Sequence, residues 1–367
     1  MRVVFAPDSF KGTITAADAA QALAEGWAQI APDAELVLRP MADGGEGTVR
    51  AFAAAVPGAE RMPLTVDGPA GMPVETSWLL LPASADAPAG TAVIDLASTS
   101  GIELLGELRP WDADSTGFGQ AIAAALDHGV SRLILGIGSS ASTDGGTGML
   151  RALGARFLTS DGADAARGAR GLASIVRADL TALRPAPDTL VLSDVTNPLT
   201  GPRGAAEVFG PQKGLTDAAD RALADAGLAA LAQLLGLDPS TPGAGAAGGV
   251  GGALVAWGAR LLPGAGEVAR LIGLADALTG ADLVVTGEGS YDGQSGDGKV
   301  PSFVASVAAD AGSRAAVVAG RIADDADTGL FAGSLSLTEL AGSSASALAE
   351  PARWLHEAGA ELARRLA

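Results

Sequence analysis

Three lysines occur in this chain of 367 residues, and each lies beside glycine. They are Lys11 in Asp8-Ser9-Phe10-Lys11-Gly12, Lys213 in Gly210-Pro211-Gln212-Lys213-Gly214, and Lys299 in Gly298-Lys299-Val300. The remaining 21 of its 24 basic residues are arginines, so the ordinary surface cation is Arg. A lysine kept against that bias points to a need for a compact, flexible ammonium, which a planar guanidinium does not supply. Compact cations beside exposed glycine backbone are a common way to hold phosphate.

The acids point the same way. Asp8, Asp43, Glu46, Asp144, Asp194, Glu288 and Asp292 all fall at or just after the carboxyl ends of predicted strands. In open α/β sheets the ligand crevice forms at those ends. Any one of these acids reads equally well as a cap or turn residue. Together they suit a site that binds Mg²⁺ and deprotonates a hydroxyl while lysines oppose phosphate charge. Phosphoryl transfer needs that combination: hard oxygen ligands for the metal, cations for the moving group, a carboxylate near the nucleophile.

Glycine-rich segments supply candidate anion loops. Gly136-Ile137-Gly138-Ser139-Ser140-Ala141-Ser142-Thr143-Asp144-Gly145-Gly146 follows a predicted strand, so its N–H groups could form a nest. It matches G-x-G-x-x-A, a loose dinucleotide fingerprint, without the following strand and acid that fingerprint requires. Gly243-Ala244-Gly245-Ala246-Ala247-Gly248 matches G-x-G-x-x-G, yet a loop and Pro242 precede it; close packing at a helix start explains it as well. Gly293-Gln294-Ser295-Gly296-Asp297-Gly298-Lys299 has P-loop spacing, but Val300 stands where Mg²⁺ binding needs Ser or Thr. A Walker-type site is therefore excluded.

Composition narrows the chemistry further. With no cysteine there is no thiolate nucleophile, disulfide or cysteine–zinc site. His128 and His356, the two histidines, sit in Ala/Leu-rich helical surroundings and read as surface or helix-end residues, so acid–base work falls to Asp, Glu or Lys. A net charge of −18 disfavours nucleic acid and anionic membranes as partners. Hydrophobic residues make up 48% but aromatics only 4%, which predicts a core of Ala, Leu and Val. Residues 1–8 read as a strand broken by Pro7 and Asp8, not as a signal peptide, and no apolar run reaches the ~20 residues of a membrane helix. A cytoplasmic location is expected.

The elements that must position these groups follow an α/β pattern. Residues 2–6 read as a buried strand, and Ala16, Ala20, Leu23, Trp27 and Ile30 mark one face of a helix over 16–30. Thr15 and Asp18 fit a capping box at its start. A strand over 35–39 then leads into Asp43-Gly44-Gly45-Glu46-Gly47. Alternation about a Gly/Pro turn over 63–78 predicts a hairpin. Further strands are expected at 91–96, 132–136 and 189–193, with helices at 115–128, 216–236 and 247–262. Plain βαβ returns from 281: strands at 282–286, 315–320 and 333–337, helices at 301–311 and 349–366. The predicted organisation is a flavodoxin- or Rossmann-like parallel-sheet domain, 1–61 plus 281–367, with a second α/β domain, 62–280, inserted into it.

Five segments carry a resemblance. They are Ala6-Pro7-Asp8-Ser9-Phe10-Lys11-Gly12, Pro40-Met41-Ala42-Asp43-Gly44-Gly45-Glu46-Gly47-Thr48, Asp194-Val195-Thr196-Asn197-Pro198-Leu199, Val208-Phe209-Gly210-Pro211-Gln212-Lys213-Gly214, and Gly287-Glu288-Gly289 with Asp292 and Gln294-Ser295. In that order they resemble the bacterial class I glycerate kinases along nearly the whole chain. The resemblance implies ATP- and Mg²⁺-dependent phosphorylation of D-glycerate, usually to 2-phosphoglycerate with 3-phosphoglycerate the alternative product, in a cleft between two α/β domains. Three departures stand out: Thr143 where the family commonly has Asn, Ser193 where it has Cys, and Ser290 where Arg is frequent. None touches the acids or lysines.

The expected roles follow. Asp194 is the general base, set after a strand by an Asn197-Pro198 turn; Asp43 and Glu288 hold Mg²⁺ or orient substrate, with Asp8 and Ser9 beside them. Lys11 and Lys213 meet phosphate or the glycerate carboxylate. Gly138, Ser139, Ser140 and Asp144 belong to the nucleotide-phosphate loop, and Asn197, Asp292 and Lys299 complete the substrate- and phosphate-binding set. Two other readings use the same residues differently: a dinucleotide-dependent oxidoreductase built on the glycine loops, and a non-catalytic nucleotide or organic-acid sensor.

Overall fold

The computed structural model describes the chain except for residues 11, 43, 46 and 293–299. Its strands, in chain order, are β1 (Arg2–Pro7), β2 (Glu35–Leu38), β3 (Glu60–Asp67), β4 (Pro73–Leu81), β5 (Thr91–Asp95), β6 (Arg132–Gly136), β7 (Arg156–Leu158), β8 (Arg177–Asp179), β9 (Asp188–Leu192), β10 (Arg260–Leu262), β11 (Leu283–Tyr291), β12 (Arg314–Ile322) and β13 (Gly333–Ser336). They divide between two compact units. One comprises Met1–Asp43, Gly47–Pro57 and Gly264–Ala367; the other comprises Gly44–Glu46 and Gly58–Pro263.

In the first unit the sheet order is β13-β12-β11-β1-β2, parallel throughout. Counted within the unit this is the 2-1-3-4-5 order of flavodoxin-like sheets, whose switch point lies between β1 and β11. Near-continuous apolar runs make these strands: Val3, Val4, Phe5, Val284 and Val285 are wholly buried. The helix Ala16–Ile30 begins as its sequence suggests, with the Thr15 hydroxyl accepting from the Asp18 N–H at 3.2 Å. It lays Leu23 and Trp27 on the sheet, the Trp27 ring edge-on to Phe5 at 6.2 Å. The C-terminal helix Pro351–Leu366 crosses it so closely that a Cβ on Gly26 would overlap the His356 carbonyl, and one on Gly359 the Leu23 carbonyl.

The second unit has a sheet in the order β10-β9-β6-β5-β4-β3. β5, β6, β9 and β10 are parallel, while β4 and β3 add an antiparallel hairpin at one edge. Its core packs Phe118, Ile122, Phe157, Leu228 and Leu254 around Leu133, Leu135 and Val191. β7 and β8 form a separate small hairpin.

Two local expectations differ from what folds. The helix expected over 247–262 stops at Trp257, because Gly258 takes φ +107° as its C-cap and Arg260–Leu262 then pairs with β9. β11 does not end at residue 286 but runs on through Gly287-Glu288-Gly289, held by β12. The unit boundaries also lie elsewhere than the sequence reading put them: between residues 57 and 58, and between 263 and 264. The helices Gly264–Leu271 and Leu274–Leu278 thus belong to the first unit.

Candidate active site

The first unit gathers its acids at the switch point. Asp8 follows β1 directly, is 5% exposed, donates its N–H to the Gly287 carbonyl at 2.8 Å and accepts the Ser9 N–H at 2.7 Å. Glu288, 9% exposed, lies next along β11, and the half-buried Asp292 follows that strand's end. A hydrogen bond from the Thr286 hydroxyl to the Ala6 carbonyl, 2.9 Å, ties the two strands just below. Asp8, Ser9 and Glu288 are therefore brought together by adjacent parallel strands. Lys11, Asp43 and Lys299 lie outside the described residues. Among the described residues no three acidic or histidine side chains form a ready-made metal cage.

The second unit builds a different surface at the carboxyl ends of β6 and β9. After β6 the chain turns through Gly138 and an exposed Ser139 at φ +58°, then runs buried from Ser140 to Gly146. After β9 comes Ser193, then an exposed Asp194. The Ser193 N–H donates to Leu262, and Asn197 closes the following turn by donating to the Arg203 carbonyl at 2.8 Å. Gly44 and Gly45 pack on both strand ends: Gly138 donates to the Gly44 carbonyl at 3.2 Å, and a Cβ on Gly44 would strike Leu192. Only glycine fits at position 44, which gives the first glycine of the Asp-Gly-Gly-Glu motif a steric reason.

Asp144 proves to be an internal anchor. It is fully buried, and its carboxylate accepts from the Ser115 N–H (3.0 Å) and hydroxyl (2.8 Å), the Ser142 hydroxyl (3.0 Å), Gly146 N–H (3.1 Å) and Gly148 N–H (3.0 Å). A carboxylate has about four lone-pair sites, so its acceptor capacity is engaged by the protein. Burial pushes the neighbouring Asp114 carboxyl up, and the Asp144 charge adds to it, against hydrogen bonds from Thr116 and the Arg167 guanidinium. The Asp114-Ser115-Thr116 triplet was not singled out by sequence reasoning. Three polar residues opening an otherwise Ala-rich helix were the available signal.

Lys213 is also internal. It is 2% exposed, and its Nζ donates to the Ser140 hydroxyl (2.5 Å) and the Ser142 carbonyl (2.6 Å). Burial depresses its pKa to about 7, with Asp144 opposing that shift. The Gly243–Gly248 run packs beneath the same loop: Gly145 donates to the Gly248 carbonyl at 3.0 Å, and Gly245 to the Asn197 carbonyl at 3.0 Å. Its glycines serve close packing.

Residues 3–367 match the profile of the glycerate kinase family. The chain belongs to that family. It is 43% identical over 336 residues to the glycerate 2-kinase of Escherichia coli K12, covering 89% of this chain and 86% of that one. It is 41% identical over 331 residues to a glycerate kinase of Halalkalibacterium halodurans, covering 87% and 85%. A crystal structure assigned as glycerate kinase 2 of Salmonella typhimurium LT2 superposes with a TM-score of 0.84 at 36% identity, over 100% of this chain and 98% of that one. As a glycerate kinase family member the chain is a phosphotransferase acting on an alcohol group, which sets aside the oxidoreductase and sensor readings. Among the described residues no helix is long and apolar enough to cross a membrane.

Proposed function

We propose that this enzyme transfers the γ-phosphoryl group of ATP to the C2 hydroxyl of D-glycerate, giving 2-phospho-D-glycerate and ADP. The observation that carries this reading is the 43% identity to a glycerate 2-kinase across 86% of its length. Asp194, exposed after β9, takes the hydroxyl proton as the oxygen attacks the γ-phosphorus and the bond to the β-phosphate oxygen breaks. Gly138, Ser139 and Ser140 bind nucleotide phosphate. Lys11 and Lys299 oppose its charge, and Asp8, Ser9 and Asp292 orient substrate.

Mg²⁺ would be held by Asp43 and Glu288. The donors suit it: the ion prefers hard oxygens and usually keeps waters, binding through one or two carboxylates plus substrate phosphates, and Glu288 offers such a carboxylate on the strand beside Asp8. When bound, Mg²⁺ neutralises charge on the transferring phosphates. Phosphorus NMR of the product made from ATP and D-glycerate tests the reading. A 2-phosphoglycerate resonance is expected; 3-phosphoglycerate would overturn the regiochemistry, and the absence of any phosphate ester would overturn the activity.

A further inference from the structure

The 138–146 loop is gripped from two sides within the second unit. On one side the segment 100–102 holds it, with the Ala141 N–H donating to Ser100 at 3.1 Å and the Ile102 N–H to Ser139 at 2.9 Å. On the other side the Pro211–Lys213 turn sends the Lys213 ammonium onto Ser140 and Ser142. Fold stability alone does not account for this arrangement. A buried ammonium is costly, Ser139 occupies the left-handed region at φ +58°, and the buried Thr143 hydroxyl has no partner among the described residues. Methionine, glycine and valine at these three positions would each relieve a cost. Costs gathered on and against one loop mark a shape kept for a purpose other than stability.

We propose that Lys213 is a positioning residue: it fixes the 138–146 loop in its nucleotide-receiving shape through Ser140 and Ser142 and makes no contact with the nucleotide itself. With a Ser140 lone pair taken by the ammonium, the Ser140 O–H is directed away from Lys213. The Ser142 carbonyl, drawn toward Lys213, fixes the peptide leading to Thr143. This inference rests on the reading of the loop as the nucleotide-phosphate site, and it moves Lys213 from the ligand-binding set to the set that shapes the loop.

A double-mutant cycle on the full chain tests it. Affinity for ADP is measured by calorimetry for wild type, Lys213→Met, Ser140→Ala and the double variant. If Lys213 acts through the loop, each single change weakens ADP binding about tenfold and the double variant is no weaker than the worse single one. Independent effects that multiply to about a hundredfold would mean that Lys213 meets the nucleotide directly, and would overturn the proposal. Unchanged ADP affinity in either single variant would overturn it as well. Steady-state kinetics adds a second arm: the KM for ATP is expected to rise in the Lys213 variant while that for glycerate holds. A parallel rise in both would reduce Lys213 to general structure. Should Lys213→Met fail to fold, Lys213→Gln, uncharged but still a donor, replaces it in the cycle. Failure of the functional reading shows separately, as wild type that binds ADP without phosphorylating glycerate.

Discussion

Among individual residues, the two ionisable groups with the clearest expectations are Asp194 and Lys213. Asp194 is exposed just beyond β9, and the proposed reaction makes it the general base. Asp194→Asn is expected to lower kcat by about 10²–10⁴-fold, the range for general-base catalysis, with ADP affinity unchanged by calorimetry. Lost ADP binding instead would reassign the residue to the metal. Lys213 makes a prediction about stability. Its folded-state pKa, about 7, lies below the ordinary 10.5, so between those values the unfolded chain holds a proton that the folded chain has released. Stability from this group therefore rises with pH across that window, and the full cost of burying the ammonium is felt below it. The urea midpoint of wild type should climb, relative to Lys213→Met, as pH is raised above neutrality. Parallel midpoints for the two proteins would refute this.

At the scale of elements, the close crossing of Ala16–Ile30 with Pro351–Leu366 decides how the first unit covers its sheet. Gly26 and Gly359 each meet a carbonyl of the opposite helix, so a methyl group there must push the two helices apart. Gly359→Ala would raise intrinsic helix propensity in isolation by roughly 0.5–1 kcal/mol. Overpacking at the crossing is expected to outweigh that gain and destabilise by about 1–3 kcal/mol. A urea titration of Gly359→Ala reads the balance, and a raised midpoint would show that the helices separate freely. The helix Ala16–Ile30 was legible before folding: its apolar spacing and Thr15 cap predicted both ends. The crossing was not. Glycine in a helix reads as a defect until the partner helix, more than 300 residues later, is in place.

For the molecule as a whole, the division of the chain sets a further expectation. The second unit holds its own sheet and core within Gly58–Pro263, apart from the short Gly44–Glu46 segment, whereas β1 and β2 share a sheet with β11, β12 and β13. A fragment spanning 58–263 is expected to unfold cooperatively in urea, and one spanning 1–57 to show no transition. A cooperative transition in the shorter fragment would contradict this account. Sequence alone determined what depends on local pattern and residue chemistry: the α/β alternation, the absence of cysteine chemistry and five motifs that carry the family. Tertiary structure decided which way the polar side chains turn. Their motifs put Asp144 in the nucleotide-phosphate loop and Lys213 against phosphate or the glycerate carboxylate; in the folded chain both are buried, where Ser115, Ser140, Ser142 and glycine N–H groups from distant or adjoining segments satisfy them. A motif fixes the type and order of charged groups. Whether a charge meets ligand or protein depends on desolvation and on hydrogen-bond partners that only the folded chain brings within reach.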